Sequence, residues 1–150
     1  MLTLATIGYE RTTPASLITT LHETGVELLV DVRAVASSRR PGFAKTALTA
    51  SLRSGGIDYL HLRGLGTPAD GRAAARAGRH EDLRRSYTAH LRTLAARDDF
   101  EVLLDLVTAG HPACLLCLEA QPEHCHRRMV TDAVQRRIPV QIQDLFPVTA

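Results

Sequence analysis

The densest set of reactive side chains lies in residues 113–128, ACLLCLEAQPEHCHRR, which hold Cys117, Glu119, Cys125, His126 and Arg127. An apolar run ends at a carboxylate, a short loop containing Pro122 follows, and Cys-His-Arg opens a helix. That junction is expected at a helix N-terminus, with Pro122 in the first turn. Free backbone N–H groups and the positive end of the helix dipole favour an anion or a thiolate there. The residue types suit Cys125 with His126 as a nucleophile or polarising pair, and Glu119 as a general acid or base. Cys117, close to the strand end, and Arg127 are candidates for substrate contact, whereas Cys114 suits the core.

The spacings exclude several chemistries. A phosphatase-type loop needs Arg six positions after its Cys, but Glu123 and Thr131 stand there. Cys114 and Cys117 have CxxC spacing but fall inside an expected strand rather than at a helix start. Zinc ligation by Cys117, Cys125 and a histidine is disfavoured, because adjacent Cys125 and His126 are expected to project apart and no second CxxC exists. No metal ligand is therefore assigned. The zinc-deaminase pattern, GxGxxG and the P-loop are absent.

These residues need a scaffold. Residues 3–8 read as a first strand ending at Gly8 and Tyr9. Thr13 then caps a helix with Pro14 at its first position, Leu17, Ile18 and Leu21 on its apolar stripe and Gly25 at its end. Residues 26–32 form a second, uniformly apolar strand closing on Asp31 and Arg33. A loop follows with Ser37, Ser38, Arg39, Arg40 and the Pro41-Gly42 turn signal. A helix at about 44–53 and a strand at 57–62 come next. Residues 63–79, rich in Gly, Ala and Arg, read as a long mobile loop. One helical pattern carries Leu83, Tyr87, Leu91 and Leu94; another, capped by Asp98 or Asp99, carries Phe100, Leu103, Leu104 and Val107. Residues 113–118 are the buried strand before the reactive junction. Residues 139–145 alternate like a half-buried edge strand.

The order β-α-β-α-β-α-α-β-α-β predicts an α/β fold: one domain over residues 1–150, with a mostly parallel sheet of about five strands and helices on both faces. Ligands of open α/β sheets bind beyond the carboxyl ends of the strands. The candidates gathered there are Gly8, Tyr9, Asp31, Arg33, Arg39, Arg40, Cys117, Glu119, Cys125, His126 and Arg127. Asp31 has an ordinary alternative, pairing with Arg33 or a backbone N–H.

Apolar residues make up 45% and charged residues 23% of the chain, ordinary for a soluble globular protein. No run approaches a membrane span, and the start MLTLATIGYE has no signal-peptide pattern, so a cytoplasmic location is expected. The formal net charge of +2 excludes a polycation, so any basic patch must be local. Three cysteines, all between 114 and 125, argue against a secreted disulfide framework.

Several separated segments resemble one bacterial and archaeal family, the domain of unknown function 488. They are Thr6-Ile7-Gly8, Leu29 to Arg33, Ser38, Arg39 and Phe43, Leu115 to Glu119, and Cys125 to Arg127, in the family's order across almost the whole chain. Many relatives carry His where Tyr9 stands here. The resemblance implies the fold and the position of the shared polar residues and supplies no reaction. The Asp-Val-Arg segment is also similar to rhodaneses, but their sulfur-carrying loop is not reproduced around Cys125.

The leading functional expectation is a small cytoplasmic enzyme acting on a phosphate-bearing or nucleotide-type substrate. Arg33, Arg39, Arg40 and Arg127 would hold the anion, Asp31 and Glu119 would do acid-base work, and Cys125 with His126 would react. Two alternatives stand beside it. One is a non-catalytic module for nucleotides or nucleic acid, with Arg72, Arg76, Arg79, Arg84 and Arg85 forming a stripe. The other is a metal site at Cys117, Glu119, Cys125 and His126. Cofactor and oligomeric state are left open.

Overall fold

A computed structural model describes residues 1–147. Five strands form one all-parallel sheet in the order β3-β2-β4-β1-β5, where β1 is Leu2–Gly8, β2 Leu28–Asp31, β3 Asp58–His61, β4 Ala113–Cys117 and β5 Val140–Leu145. The expected α/β class and the edge position of the last strand hold. β4 is buried at every position, as a strand covered on both faces must be, whereas β5 alternates between more and less buried residues.

Helices α1 (Pro14–Thr24) and α2 (Lys45–Ser54) cover one face through Leu17, Leu21, Leu48 and Leu52, packed on Ile7, Leu29, Cys114 and Leu116. On the other face α4 (His80–His90), α5 (Leu94–Thr108) and α6 (Arg127–Arg137) place Tyr87, Leu103, Val107, Val130 and Val134 on Leu4, Val30, Leu115 and Cys117. Strand alternation divides neighbouring residues between the two cores. The start and stop of α1 follow local chemistry. Thr13 Oγ1 accepts the Ser16 N–H at 3.1 Å, Pro14 occupies the first turn, and Gly25 takes φ 78°, a left-handed conformation unfavourable for other residues.

Three expectations are corrected. Residues 63–79 are not one loop: a 3-10 turn at Arg63–Leu65 leads into helix α3 at Ala69–Arg76. Ala supplies the helix propensity there. Gly71 sits inside the helix because a Cβ would press on Thr67 and on Ser86 of α4. Helix α5 begins at Leu94 with Thr93, not Asp98 or Asp99, as its cap; Thr93 Oγ1 accepts the Ala96 N–H. Pro122 opens a separate 3-10 turn, Pro122–His124, and the chain runs extended through Cys125 before α6 starts.

The topology creates the crevice. β2 and β4 are neighbours, yet the chain leaves β2 for β3 at one edge and leaves β4 for β5 at the other, with α2 and α6 on opposite faces. Their carboxyl ends therefore diverge around an opening, the position where open α/β sheets bind ligands. Beside this opening β1 stays pressed on the loop after β4, which Gly8 allows, since a Cβ there would collide with the Glu119 carbonyl. Tyr9 N–H and Glu10 N–H then bond the Cys117 and Leu118 carbonyls at 3.1 and 2.8 Å. Among the described residues, no helix is long and apolar enough to cross a membrane.

Candidate active site

A cavity of about 210 Å³ opens at these strand ends, walled by Tyr9 and Arg33 on one side, Cys117, Glu119, Cys125 and His126 on another, and Thr67, Arg72 and Arg76 from the segment after β3. Chemistry from four separated parts of the chain meets there.

The Arg33 side is saturated with partners. Asp31 is fully buried at the end of β2 and receives the Arg33 backbone N–H, Nε and Nη2 at 3.0, 2.9 and 2.7 Å, together with the Tyr59 hydroxyl at 2.5 Å. Arg33 Nη1 donates to the Phe43 carbonyl at 2.8 Å and reaches the Tyr9 hydroxyl at 3.4 Å. The two side chains meet because residues two apart on an extended strand share a face. Burial alone would lower the Arg33 pKa, but the Asp31 carboxylate holds it above the ordinary value. Burial beside Asp31 also pushes the Tyr59 hydroxyl upward. Tyr9 stacks on Phe43 with centroids 4.7 Å apart, under the Arg33 guanidinium. Asp31 does not line the cavity; it fixes Arg33.

The opposite side has longer contacts and fewer partners. Cys125, in extended conformation (φ −130°, ψ 147°), precedes His126 in helical conformation (φ −62°, ψ −19°). That break turns two adjacent side chains toward one point, against the expectation that they project apart. His126 Nδ1 lies 3.6 Å from Cys117 Sγ and 3.7 Å from Cys125 Sγ, and all three donor atoms lie within 4.8 Å of one another. The other imidazole nitrogen, Nε2, is 2.8 Å from the Val32 carbonyl, which accepts its proton and fixes the tautomer. Cys125 Sγ accepts the Arg127 N–H of the first turn of α6 at 3.5 Å.

Electrostatics separates the two thiols. Burial opposes ionisation of Cys125, but hydrogen bonding from Cys117, the charge and hydrogen bond of His126, and Arg127 together bring its pKa well below a free thiol's. Cys117, hydrogen-bonded to Cys125 and desolvated, is pushed the other way. Burial lowers the His126 pKa, and the Cys125 thiolate more than restores it. Glu119, with Oε2 3.5 Å from Cys117 Sγ, is raised to about 7 by desolvation and by the negative charge of Cys125.

The remaining candidates lie around the cavity rather than in it. Arg127 is fully buried and donates to the Glu119 and Ala120 carbonyls, holding the loop after β4; its Nε has no hydrogen-bond partner among the described residues. Arg40 donates to the Tyr9 and Thr12 carbonyls and lies over the Phe43 ring, 5.2 Å from its centroid. Arg39 is exposed, and neither it nor Gly8 lines the cavity.

Besides Arg33, the cavity is lined by Arg72, half-buried and bonded to the Thr67 carbonyl at 3.0 Å, and by exposed Arg76. The sequence placed both in a loop stripe and missed them as cavity residues. Their four-residue spacing, one helical turn, was the available signal. The rest of that stripe is partly neutralised on α4, where Arg79 and Arg85 pair with Asp82 and Arg84 pairs with Glu81.

The family model described as "Domain of unknown function DUF488" matches residues 13–134. No curated protein and no solved structure matches the chain.

Proposed function

Because the chain belongs to the DUF488 family, a domain defined without an activity, its chemistry has to come from the site, and we propose a cysteine-dependent enzyme for a small phosphate-bearing substrate. The carrying observation is that Cys125 Sγ, beside His126 Nδ1 at 3.7 Å and at the start of α6, shares one cavity with Arg72 and Arg76. A thiol next to an imidazole at a helix N-terminus is an arrangement for nucleophilic attack.

In this mechanism Arg72 and Arg76 hold the anion in the cavity, and Cys125 Sγ attacks the substrate's electrophilic centre. Glu119 is the carboxyl group beside the thiols that can protonate a leaving oxygen. Asp31 positions Arg33 and takes no proton from substrate. The cavity, about 210 Å³, is smaller than sites that enclose drug-sized ligands, so it suits a phosphosugar-sized molecule or the phosphate end of a nucleotide. A reducing, cytoplasmic compartment follows from the need for free Cys125. A nucleic-acid module is less favoured, since the acidic partners on α4 offset the outer arginines.

The test is a thermal-shift series with inorganic phosphate, phosphosugars and mononucleotides on the wild type and Arg76→Ala, followed by turnover of any stabilising ligand by wild type and Cys125→Ser. Ligand binding to the native state raises apparent stability, so a shift present in the wild type and lost in Arg76→Ala is expected. An equal shift in both proteins, or equal turnover by Cys125→Ser, overturns the proposal.

A further inference from the structure

We propose that Cys117, Cys125 and His126 bind one thiophilic divalent cation of the zinc class, and that its binding masks the Cys125 thiol. The inference rests on the proposed reactivity of Cys125 for its consequence, but not for the metal site itself.

The geometry is that of a coordination shell. Tetrahedral zinc, with Zn–S of about 2.3 Å and Zn–N of about 2.0–2.1 Å, sets sulfur and nitrogen ligands roughly 3.6 Å apart. The two observed S···N separations are 3.6 and 3.7 Å, and the third side of the triangle is within 4.8 Å. The imidazole nitrogen is aimed at both sulfurs, as a shared cation requires.

The surroundings meet the further demands of a metal site. A ligating imidazole usually donates its other N–H to a carbonyl or carboxylate, which orients the ring; Nε2 of His126 has the Val32 carbonyl at 2.8 Å, leaving Nδ1 free to ligate. All three ligand residues are at most 5% exposed, so their positions are set by packing before any cation arrives. Two thiolates balance a divalent charge. The ligand set of two Cys and one His belongs to sites that keep a fourth place for water or substrate, and all three residues line the cavity that supplies it. Glu119 Oε2, 3.5 Å from Cys117 Sγ, is the nearby carboxylate for a bound water. A cation held here draws on the same sulfur lone pairs that Cys125 needs for attack.

The experiment uses the whole protein stripped with a chelator and then titrated with Zn²⁺ against a chromophoric competitor. One zinc per chain is expected in the wild type and in Arg39→Ala. Binding should weaken on the order of a hundredfold or more in Cys117→Ser, since even outer-shell partners of metal ligands are worth 10–100-fold. Should that variant fail to fold, Co²⁺ added to the wild type decides: a thiolate-to-cobalt charge-transfer band supports the site, and its absence overturns it. Iodoacetamide labelling of Cys125 then separates the two proposals. Labelling of stripped protein that zinc neither binds nor blocks overturns the metal site and leaves the nucleophile standing. Stoichiometric zinc on a protein whose stripped Cys125 does not label supports the site and removes the nucleophile.

Discussion

The two sides of the cavity treat charge in opposite ways. On the β2 side, Asp31 and Arg33 neutralise each other, with contacts of 2.7–3.1 Å, and Tyr59, Phe43 and Tyr9 take up further hydrogen-bonding capacity. On the β4 side, Cys117, Cys125, His126 and Glu119 are linked by contacts of 3.5–3.7 Å, which leave the sulfur lone pairs weakly engaged. A buried polar group that already has its partners is architecture, because any new ligand must first break existing bonds. A buried cluster with spare capacity is where a ligand or reaction gains most. Equal burial and equal position at strand ends therefore do not imply equal roles.

Breaking the satisfied side should have the largest effect on stability. Asp31→Ala leaves Arg33 charged and unpaired in the interior, and removal of one partner of such a pair costs about 3–5 kcal/mol. Denaturant unfolding followed by circular dichroism should show a loss of this size or an unfolded protein, and a loss below 1 kcal/mol would refute the contrast. On the other side, Cys125→Ser should leave the fold intact, with stability changed by about 1 kcal/mol or less, while iodoacetamide labelling at that position disappears. A collapse in stability would make Cys125 structural.

Smaller effects sharpen the comparison within the cavity. Arg72→Ala and Arg76→Ala should each weaken binding of a phosphate-bearing ligand roughly ten- to hundredfold, the worth of one charge-assisted hydrogen bond, with little change in melting temperature. Calorimetric titration measures it, and unchanged affinity in both would move the anion elsewhere. Arg39→Ala, at an exposed residue outside the cavity, should change neither affinity nor melting temperature. A lost ligand in that variant would reinstate the loop as the anion site.

The fold was largely legible because its signals are local. Continuous apolar runs marked β2 and β4, alternation marked β5, and Thr13-Pro14 with Gly25 bounded α1. Helix α3 was missed because its buried surface is made of Gly71 and Ala74, which carry no large apolar stripe. In the site, Cys125 and His126 were legible as neighbours in sequence. Their convergence on Cys117 depends on a change from extended to helical backbone between them, which residue types do not announce.

By itself the sequence determined that the sheet is mostly parallel, that β2 and β4 are buried, and that thiol, imidazole and carboxylate stand at the end of β4. These follow from composition and period, which act over a few residues. Only the tertiary structure decided that Asp31 and Arg33 are consumed by each other, that Arg40 and Arg127 hold backbone, and that Arg72 and Arg76 reach the cavity instead. Those outcomes turn on which groups satisfy which across the sheet, and a buried group's freedom to react is set by partners distant in the chain.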